Sequence, residues 1–262
     1  MKNNNISDKL LNFVSIKINI IVLKIEEYLD STYLKLPEEA GISIEETETK
    51  INAFIEEGIA LNFACVMIRP NFISKAVKKI QISKSKLKVG TVIDFPFGHD
   101  STQNKINEAK EAISNGAFDI DFVCDYNSFK RGNYEKFDTD IFEGTKICFK
   151  NKKIVKWIIE TGALSKDEIR NISKRIAKLI QANFPTFVKN VYIKTSTGYY
   201  GGYGATLKDV KVIKSVSGNL KIKASGGISN LKDALAMIEA GADRIGTSKA
   251  LDIFNEKCKQ VK

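Results

Sequence analysis

At 262 residues, with 43% hydrophobic and 27% charged side chains, the chain has the composition of an ordinary soluble globular protein, and no apolar run reaches the roughly 18 residues of a membrane span. Its net charge of +10 does not mark a nucleic-acid binder, because the lysines are dispersed and the densest group (75, 78, 79, 84, 86 and 88) has no interleaved glycines and aromatics. The expected partner is a small phosphorylated molecule drawn by the basic surface, with no nucleic acid and no membrane.

Residues 1–24 are rich in lysine and asparagine, then weakly apolar, and lack the small-residue cleavage site of a secretory signal. They read as a helical N-terminal extension to one domain over 25–262. The first strong apolar segment, Ile25 to Leu34, holds Asp30, Ser31 and Thr32. Ser43 and Glu46 form a capping box, which opens a helix with Ile51, Phe54 and Ile55 on one face and a stop at Gly58. A strand is expected over Ile59 to Ile68, through Cys65. A lysine-rich helix leads to the strand Val89 to Phe95, and a helix with Ile106, Ala109 and Ile113 stops at Gly116. The strand Phe118 to Cys124 follows, then a helical insert over about 134–150, then the strand Ile154 to Ile159, ending in Glu160-Thr161-Gly162.

A second capping box, Ser165 and Glu168, opens the helix through Ile169, Ile172, Ile176 and Leu179. The strand beginning at Val191 runs into Lys194. A helix over Leu207 to Val216 stops at Gly218, the strand Leu220 to Ala224 ends at Gly226-Gly227, and a helix stopped by Gly241 precedes the last strand, Ala242 to Gly246. Glycines 58, 116, 218 and 241 each stand where a left-handed helix cap is wanted. Eight strands alternating with helices argue for a closed (β/α)8 TIM barrel in a single α/β domain. An open doubly wound sheet is the competing arrangement, weakened by the lack of an early Gly-x-Gly-x-x-Gly.

Barrels carry their chemistry at the C-terminal strand ends, so charge in those places matters most. Lys194 ends the run Val191-Tyr192-Ile193, where an ammonium is costly unless it is paired or loses its proton. An amine that readily loses its proton is what amine nucleophilic catalysis requires. Asp30 lies late in the first strand. Asp119 and Asp121 share one face of the fourth, and Lys223 sits inside the seventh. Asp119 reads as a structural acid near its strand start, Lys221 as an exposed strand-start lysine, and Glu160 as a turn cap and an outside candidate. A second ammonium at Lys223 would disfavour protonation of Lys194, and Asp121 could shuttle protons. Charge logic alone does not separate Lys194 from Lys223 as the nucleophile. The turns Ala224-Ser225-Gly226-Gly227 and Gly246-Thr247-Ser248 lead into helices, where bare N–H groups suit a phosphate. His99 falls in a surface turn without a role, and Trp157 is expected in the core.

Four cysteines without CxxC spacing and a single histidine give neither a zinc site nor a disulfide framework, which fits a reducing, cytoplasmic setting. No heptad or long apolar stripe marks an oligomer interface, and a homodimer is the expected assembly.

Lys194-Thr-Ser-Thr-Gly198, Lys223-Ala-Ser-Gly-Gly227, Arg244-Ile-Gly-Thr-Ser248, Asp94-Phe-Pro-Phe-Gly98 and Asp119-Ile-Asp121 together resemble the deoxyribose-phosphate aldolase family, from about Tyr28 to Leu251. The resemblance implies a class I aldolase on a TIM barrel that splits 2-deoxy-D-ribose 5-phosphate into acetaldehyde and D-glyceraldehyde 3-phosphate, with no metal and no cofactor. It implies Lys194 as the Schiff-base lysine, Lys223 as the neighbour that lowers its pKa, Asp121 as the relay acid and Asp30 as its partner on the first strand. Cys65 would match a pocket cysteine, and Gly226, Gly227, Gly246 and Ser248 the phosphate grip. Ser229-Asn230 replaces the family's common Arg-Thr, Lys249 stands where a small residue is usual, and no tyrosine follows Tyr203. A related aldolase for another phosphorylated sugar and a silent phosphate-binding barrel are the competing functions.

Overall fold

Strand and helix alternate throughout residues 23–261, which the computed structural model describes. The expected N-terminal helix over 1–24 lies outside these residues, apart from Leu23 and Lys24. The strands are β1 (Leu29–Tyr33), β2 (Cys65–Ile68), β3 (Lys88–Ile93), β4 (Asp119–Val123), β5 (Ile154–Ile158), β6 (Val191–Lys194), β7 (Lys221–Ser225) and β8 (Arg244–Thr247). All pair in parallel in chain order, and β1 closes on β8 with Asp30 opposite Gly246. The fold is a (β/α)8 TIM barrel, as the alternation predicts.

The helices are α1 (Pro37–Ala40), α2 (Ile44–Leu61), α3 (Ile73–Ile82), α4 (Thr102–Ser114), α5 (Tyr126–Lys130), α6 (Tyr134–Lys150), α7 (Lys166–Asn183), α8 (Leu207–Lys214), α9 (Leu231–Glu239) and α10 (Ala250–Val261). Both capping boxes form: Ser43 takes the Glu46 N–H at 3.1 Å and Ser165 takes that of Glu168 at 3.3 Å, each acid reaching back to its cap.

Two boundaries differ from the sequence pattern. The segment Ile25–Tyr28 is a 3₁₀ turn rather than strand, so Asp30 is the second residue of β1 and not late in it, and α2 continues past Gly58 to Leu61, so β2 begins only at Cys65. Gly58 is therefore not a cap. It lies buried inside α2, where an added Cβ would come within 2.8 Å of Leu87, and Asn62 takes the left-handed cap instead at φ 55°. Close helix–strand packing and helix termination both select glycine, and the sequence alone does not tell them apart. Glycines 116, 218 and 241 do have positive φ.

The apolar core lies between barrel and helices. Leu29, Ile120, Ile193 and Ile222 point outward into it, and Trp157 stacks on Phe122 at 4.8 Å. The barrel interior is different. It holds a small apolar group of Leu34, Cys65, Met67 and Val92, the Tyr192 ring, and a dense set of charges.

Candidate active site

A period of two along each strand sends one alternate set of side chains into the barrel. In β1, β4, β5, β6, β7 and β8 that set includes Asp30, Asp119, Asp121, Lys156, Lys194, Lys223 and Arg244, and the three carboxylates and three lysines among them are buried. Asp121 is their centre. Its Oδ2 accepts from Lys194 Nζ at 2.9 Å and from Lys223 Nζ at 3.0 Å, while its Oδ1 accepts from Lys156 Nζ at 2.9 Å. Lys156 also holds Asp119, and Asp30 pairs with Lys223 at 2.7 Å and with Arg244 at 2.8 Å. Four basic side chains thus meet three carboxylates, so the cluster carries one excess positive charge until one lysine gives up its proton.

Lys194 is the lysine whose environment favours that loss. Burial comes first as the cause, and Lys223 adds like-charge repulsion, so the ammonium is brought down to about 8 against the pull of Asp121. Roughly a tenth of the molecules then carry the free amine at pH 7, against about one in three thousand for an ordinary lysine. The sequence reading named both the burial of Lys194 and the neighbouring Lys223 as causes. In the folded chain desolvation is the larger cause and Lys223 the lesser one. Burial would push Asp121 up, but Lys156, Lys194 and Lys223 together hold it well below the usual carboxylate range. Asp30 is held low in the same way by Lys223, Lys156 and Arg244. Lys156 is the converse case: its burial is overcome by Asp119, Asp121 and Asp30, and it stays an ammonium.

The hydroxyls after Lys194 stitch three strand ends together. Thr195 Oγ1 donates to the Ser225 carbonyl and accepts the Ser225 N–H, and Ser196 Oγ lies 3.1 Å from Thr161 Oγ1. Thr197 donates both its N–H and its hydroxyl to Glu160. A lysine at the end of a short strand is held in place by the neighbours on both sides.

Above the cluster a cavity of about 970 Å³ opens at the C-terminal end of the barrel, with Lys194 and Lys223 at its floor. Gly226, Gly227, Gly246 and Ser248 line one side, and Tyr33, Phe54 and Tyr199 are part of the apolar wall. Gly226 and Gly227 have φ of 92° and 76°, two successive left-handed residues that only glycine adopts without strain. Thr247 Oγ1 donates to the Ile228 carbonyl at 2.6 Å, which ties the two turns together ahead of α9 and α10. Gly246 has a second reason to be glycine: a Cβ there would lie 2.8 Å from Lys223 Cε.

The structure brings Asp30, Asp121, Lys194 and Lys223 into one cluster and sets the four turn residues on the cavity wall. Cys65 lies elsewhere. It is buried in the barrel interior beside Met67, near Asp30 and Asp119, and does not line the cavity; burial and those carboxylates push its thiol well up. The Asp30, Asp119 and Cys65 ligand atoms approach within 4.8 Å of one another, but the two carboxylates already face Lys156, Lys223 and Arg244, so cation charge is supplied from within the chain.

Sequence reasoning passed over Lys156. Its signal was the same one that selected Lys223, a lysine embedded in the apolar run Ile154-Val155-Lys156-Trp157-Ile158. Asp119 was read as structural and proves to be one of the two acids that this lysine joins.

A family model described as the DeoC/LacD family aldolase matches residues 28–256. The chain is 39% identical over 233 residues to deoxyribose-phosphate aldolase 1 of Staphylococcus aureus strain MSSA476, covering 88% of this chain and 96% of that one. It is 40% identical over 228 residues to the deoxyribose-phosphate aldolase of Staphylococcus saprophyticus, covering 87% and 94%. Among solved structures it is similar to QR15, an aldolase, with a TM-score of 0.76 and 33% identity over 91% of this chain and 98% of that one. A match that takes in all eight strands, together with a buried lysine brought down to about 8 at the barrel mouth, places the chain in the DeoC/LacD family of aldolases.

Proposed function

We propose that this class I aldolase cleaves 2-deoxy-D-ribose 5-phosphate into acetaldehyde and D-glyceraldehyde 3-phosphate through an imine on Lys194. The observation that carries the proposal is Lys194 itself, a lysine brought down to about 8 at the floor of a cavity with two glycine turns on its wall. The free amine adds to the C1 aldehyde carbon of the open-chain sugar, and loss of water leaves an iminium. The C3 hydroxyl then gives up its proton, the C2–C3 bond breaks, and its electron pair moves into the iminium to form an enamine, releasing glyceraldehyde 3-phosphate. A proton returns to C2, and water hydrolyses the iminium to free acetaldehyde and Lys194.

Lys194 and Lys223 share one oxygen of Asp121, so a proton can pass between them without rotation of the carboxyl group. Asp121 is held too low to keep a proton at neutral pH and serves as the acceptor in passage. Lys156 holds the other Asp121 oxygen and fixes the carboxyl plane. The phosphate is assigned to the N–H groups of the two turns before α9 and α10. No helix among the described residues is long and apolar enough to cross a membrane. A cytoplasmic setting and a homodimer belong to the same proposal, and the first is supported by four cysteines that form no disulfide.

Borohydride reduction in the presence of acetaldehyde is expected to leave a two-carbon adduct on Lys194 by peptide mass spectrometry, forming faster as pH rises through about 8. A folded protein with no adduct on any lysine would sink the imine mechanism. Gly246→Ala is expected to lower kcat by roughly tenfold or more while the protein still folds, because the new methyl displaces the Lys223 ammonium from its place beside Asp121. Unchanged kcat would show that the Lys223 position is not critical.

A further inference from the structure

Glu160 is a carboxylate where the backbone asks for glycine. It follows β5 with φ 56° and ψ 71°, in the left-handed region that side chains other than Gly, Asn and Asp rarely take. It is 1% exposed, and its Oε1 has no hydrogen-bond partner among the described residues. An arrangement that strains the backbone and leaves a buried carboxyl oxygen unsatisfied points to function when it sits beside a cavity.

Among the described residues, all the hydrogen bonding of the Glu160 side chain goes to one residue. Its Oε2 accepts the Thr197 N–H at 3.1 Å and the Thr197 hydroxyl as well. Thr197 opens the loop between β6 and α8, and its Oγ1 accepts the Tyr199 N–H at 3.0 Å. Thr197, Gly198 and Tyr199 line the cavity. Tyr199 then crosses the mouth, where its hydroxyl donates to Glu39 of α1 at 3.0 Å and its ring packs edge-on to Phe95 at 5.0 Å. The far end of the loop rests on the turn after the neighbouring strand β7, where the Ala205 N–H donates to the Ser225 and Gly226 carbonyls at 3.1 Å. Gly204 sits so close to Gly226 that a Cβ on it would come within 2.3 Å of the Gly226 carbonyl oxygen. One buried carboxylate therefore anchors the head of a loop that forms part of the cavity wall and rests against the turn after the neighbouring strand β7.

We infer that Glu160 is a positioning residue, which through Thr197 holds the β6–α8 loop against the cavity and so sets affinity for the phosphorylated substrate rather than the chemistry of Lys194. The inference deepens the aldolase proposal and rests on it for the identity of the substrate. The backbone contacts Ile159 N–H to Lys194 O (3.0 Å) and Thr161 N–H to Thr195 O (2.9 Å) hold the lysine independently of the Glu160 side chain. Loss of the carboxylate thus frees the loop and leaves the amine in place.

The test compares the full chain with Glu160→Ala, Thr197→Val, the double variant and Thr197→Ser, each well below its thermal midpoint. Three quantities are read: KM and kcat for deoxyribose 5-phosphate, the rate of borohydride trapping by acetaldehyde, and hydrogen–deuterium exchange of the segment 197–205. Glu160→Ala and Thr197→Val are each expected to raise KM by roughly tenfold or more, as expected for a lost hydrogen bond to a charged group. Trapping should stay within about threefold of wild type, and exchange of the segment should quicken. The double variant should fall short of the sum of the two singles, because both break the hydroxyl bond between Thr197 and Glu160, while Glu160→Ala alone also loses the Thr197 N–H contact and Thr197→Val alone the Tyr199 N–H contact. Thr197→Ser keeps the donor and should behave as wild type. Unchanged KM and exchange, with only a lower midpoint, would reduce Glu160 to a structural residue and overturn the inference. So would a fall in trapping equal to the fall in cleavage, which would place Glu160 in the lysine's own chemistry. A wild-type protein that traps acetaldehyde but does not cleave deoxyribose 5-phosphate would sink the substrate assignment alone, and the exchange comparison still decides the clamp.

Discussion

Lys194→Met is expected to abolish cleavage and imine trapping while making the protein more stable at pH 7. The first effect follows from removing the only atom that bonds to substrate in the proposed route, and the loss should be on the order of 10⁴-fold or more. The second follows from linkage. Lys194 is at about 8 in the folded chain against 10.5 for a free lysine. Between those values the unfolded chain binds more protons than the folded one, so the stability of the wild type rises with pH through that window. Below pH 8 the whole difference stands against the fold, about 3 kcal/mol on a conversion of about 1.4 kcal/mol per pH unit. Methionine fills nearly the same space without the charge and leaves Lys156, Lys223 and Arg244 facing Asp30, Asp119 and Asp121, three against three. Imperfect packing and the loss of one bond to Asp121 offset part of the gain, so about 1–3 kcal/mol is expected, or a few degrees in Tm. The check is Tm of both proteins at pH 7 and pH 10. The advantage of the variant should shrink at pH 10, where the wild-type lysine is already neutral when folded. A variant less stable than wild type at pH 7 would mean that Lys194 is a net structural ion-pair partner and not a lysine held against its preference.

Asp121→Asn should have the opposite effect on stability and an equally large one on function. The amide keeps the shape but turns an acceptor oxygen into a donor facing ammonium groups that had shared a carboxylate. Breaking one partner out of a buried ionic cluster costs about 3–5 kcal/mol. The lower end is expected here, because Asp121 is the group that raises Lys194 toward protonation, and without it Lys194 sheds its proton and relieves part of the strain. Cleavage should fall by about a hundredfold or more, the usual scale for losing a proton-transfer partner. The folded-state value of Asp121 is held far below that of a free carboxyl, so its contribution is complete above the unfolded value near pH 4 and is lost as pH falls toward the folded one. Urea midpoints of the two proteins should therefore differ most at neutral pH and converge in strong acid. Combining Asp121→Asn with Lys194→Met should recover part of the lost stability, since charge is removed in a matched pair. Strict additivity of the two would argue that the cluster does not act as a unit.

Much of this protein could be read along the chain. Alternating strand and helix segments, two capping boxes and glycines after helices are local signals, and they led to eight strands and a closed barrel. Asp30, Asp121, Lys194 and Lys223 stood out for the same reason, since a charge inside an apolar run is visible without knowing its neighbours, although only Lys194 proves to end its strand. Lys156 carried that signal too, but it sits beside Trp157 in a strand whose ending, Glu160-Thr161-Gly162, drew attention instead. Gly58 showed the limit of local rules, because helix packing and helix capping ask for the same residue.

What the sequence by itself determined, then, is the order of the elements and which strand residues share a face, because those depend on periods of two and 3.6. Only the tertiary structure decided how those charges behave. Lys194 lies 73 residues from Asp121 and Lys223 lies 102 from it, yet barrel closure sets both on one oxygen. Proton affinity depends on burial and on distances of a few ångströms, and neither exists until the barrel closes. That is why the lowered value of Lys194 proved to rest first on desolvation and only second on Lys223, and why the Glu160–Thr197 clamp became visible only in the folded chain.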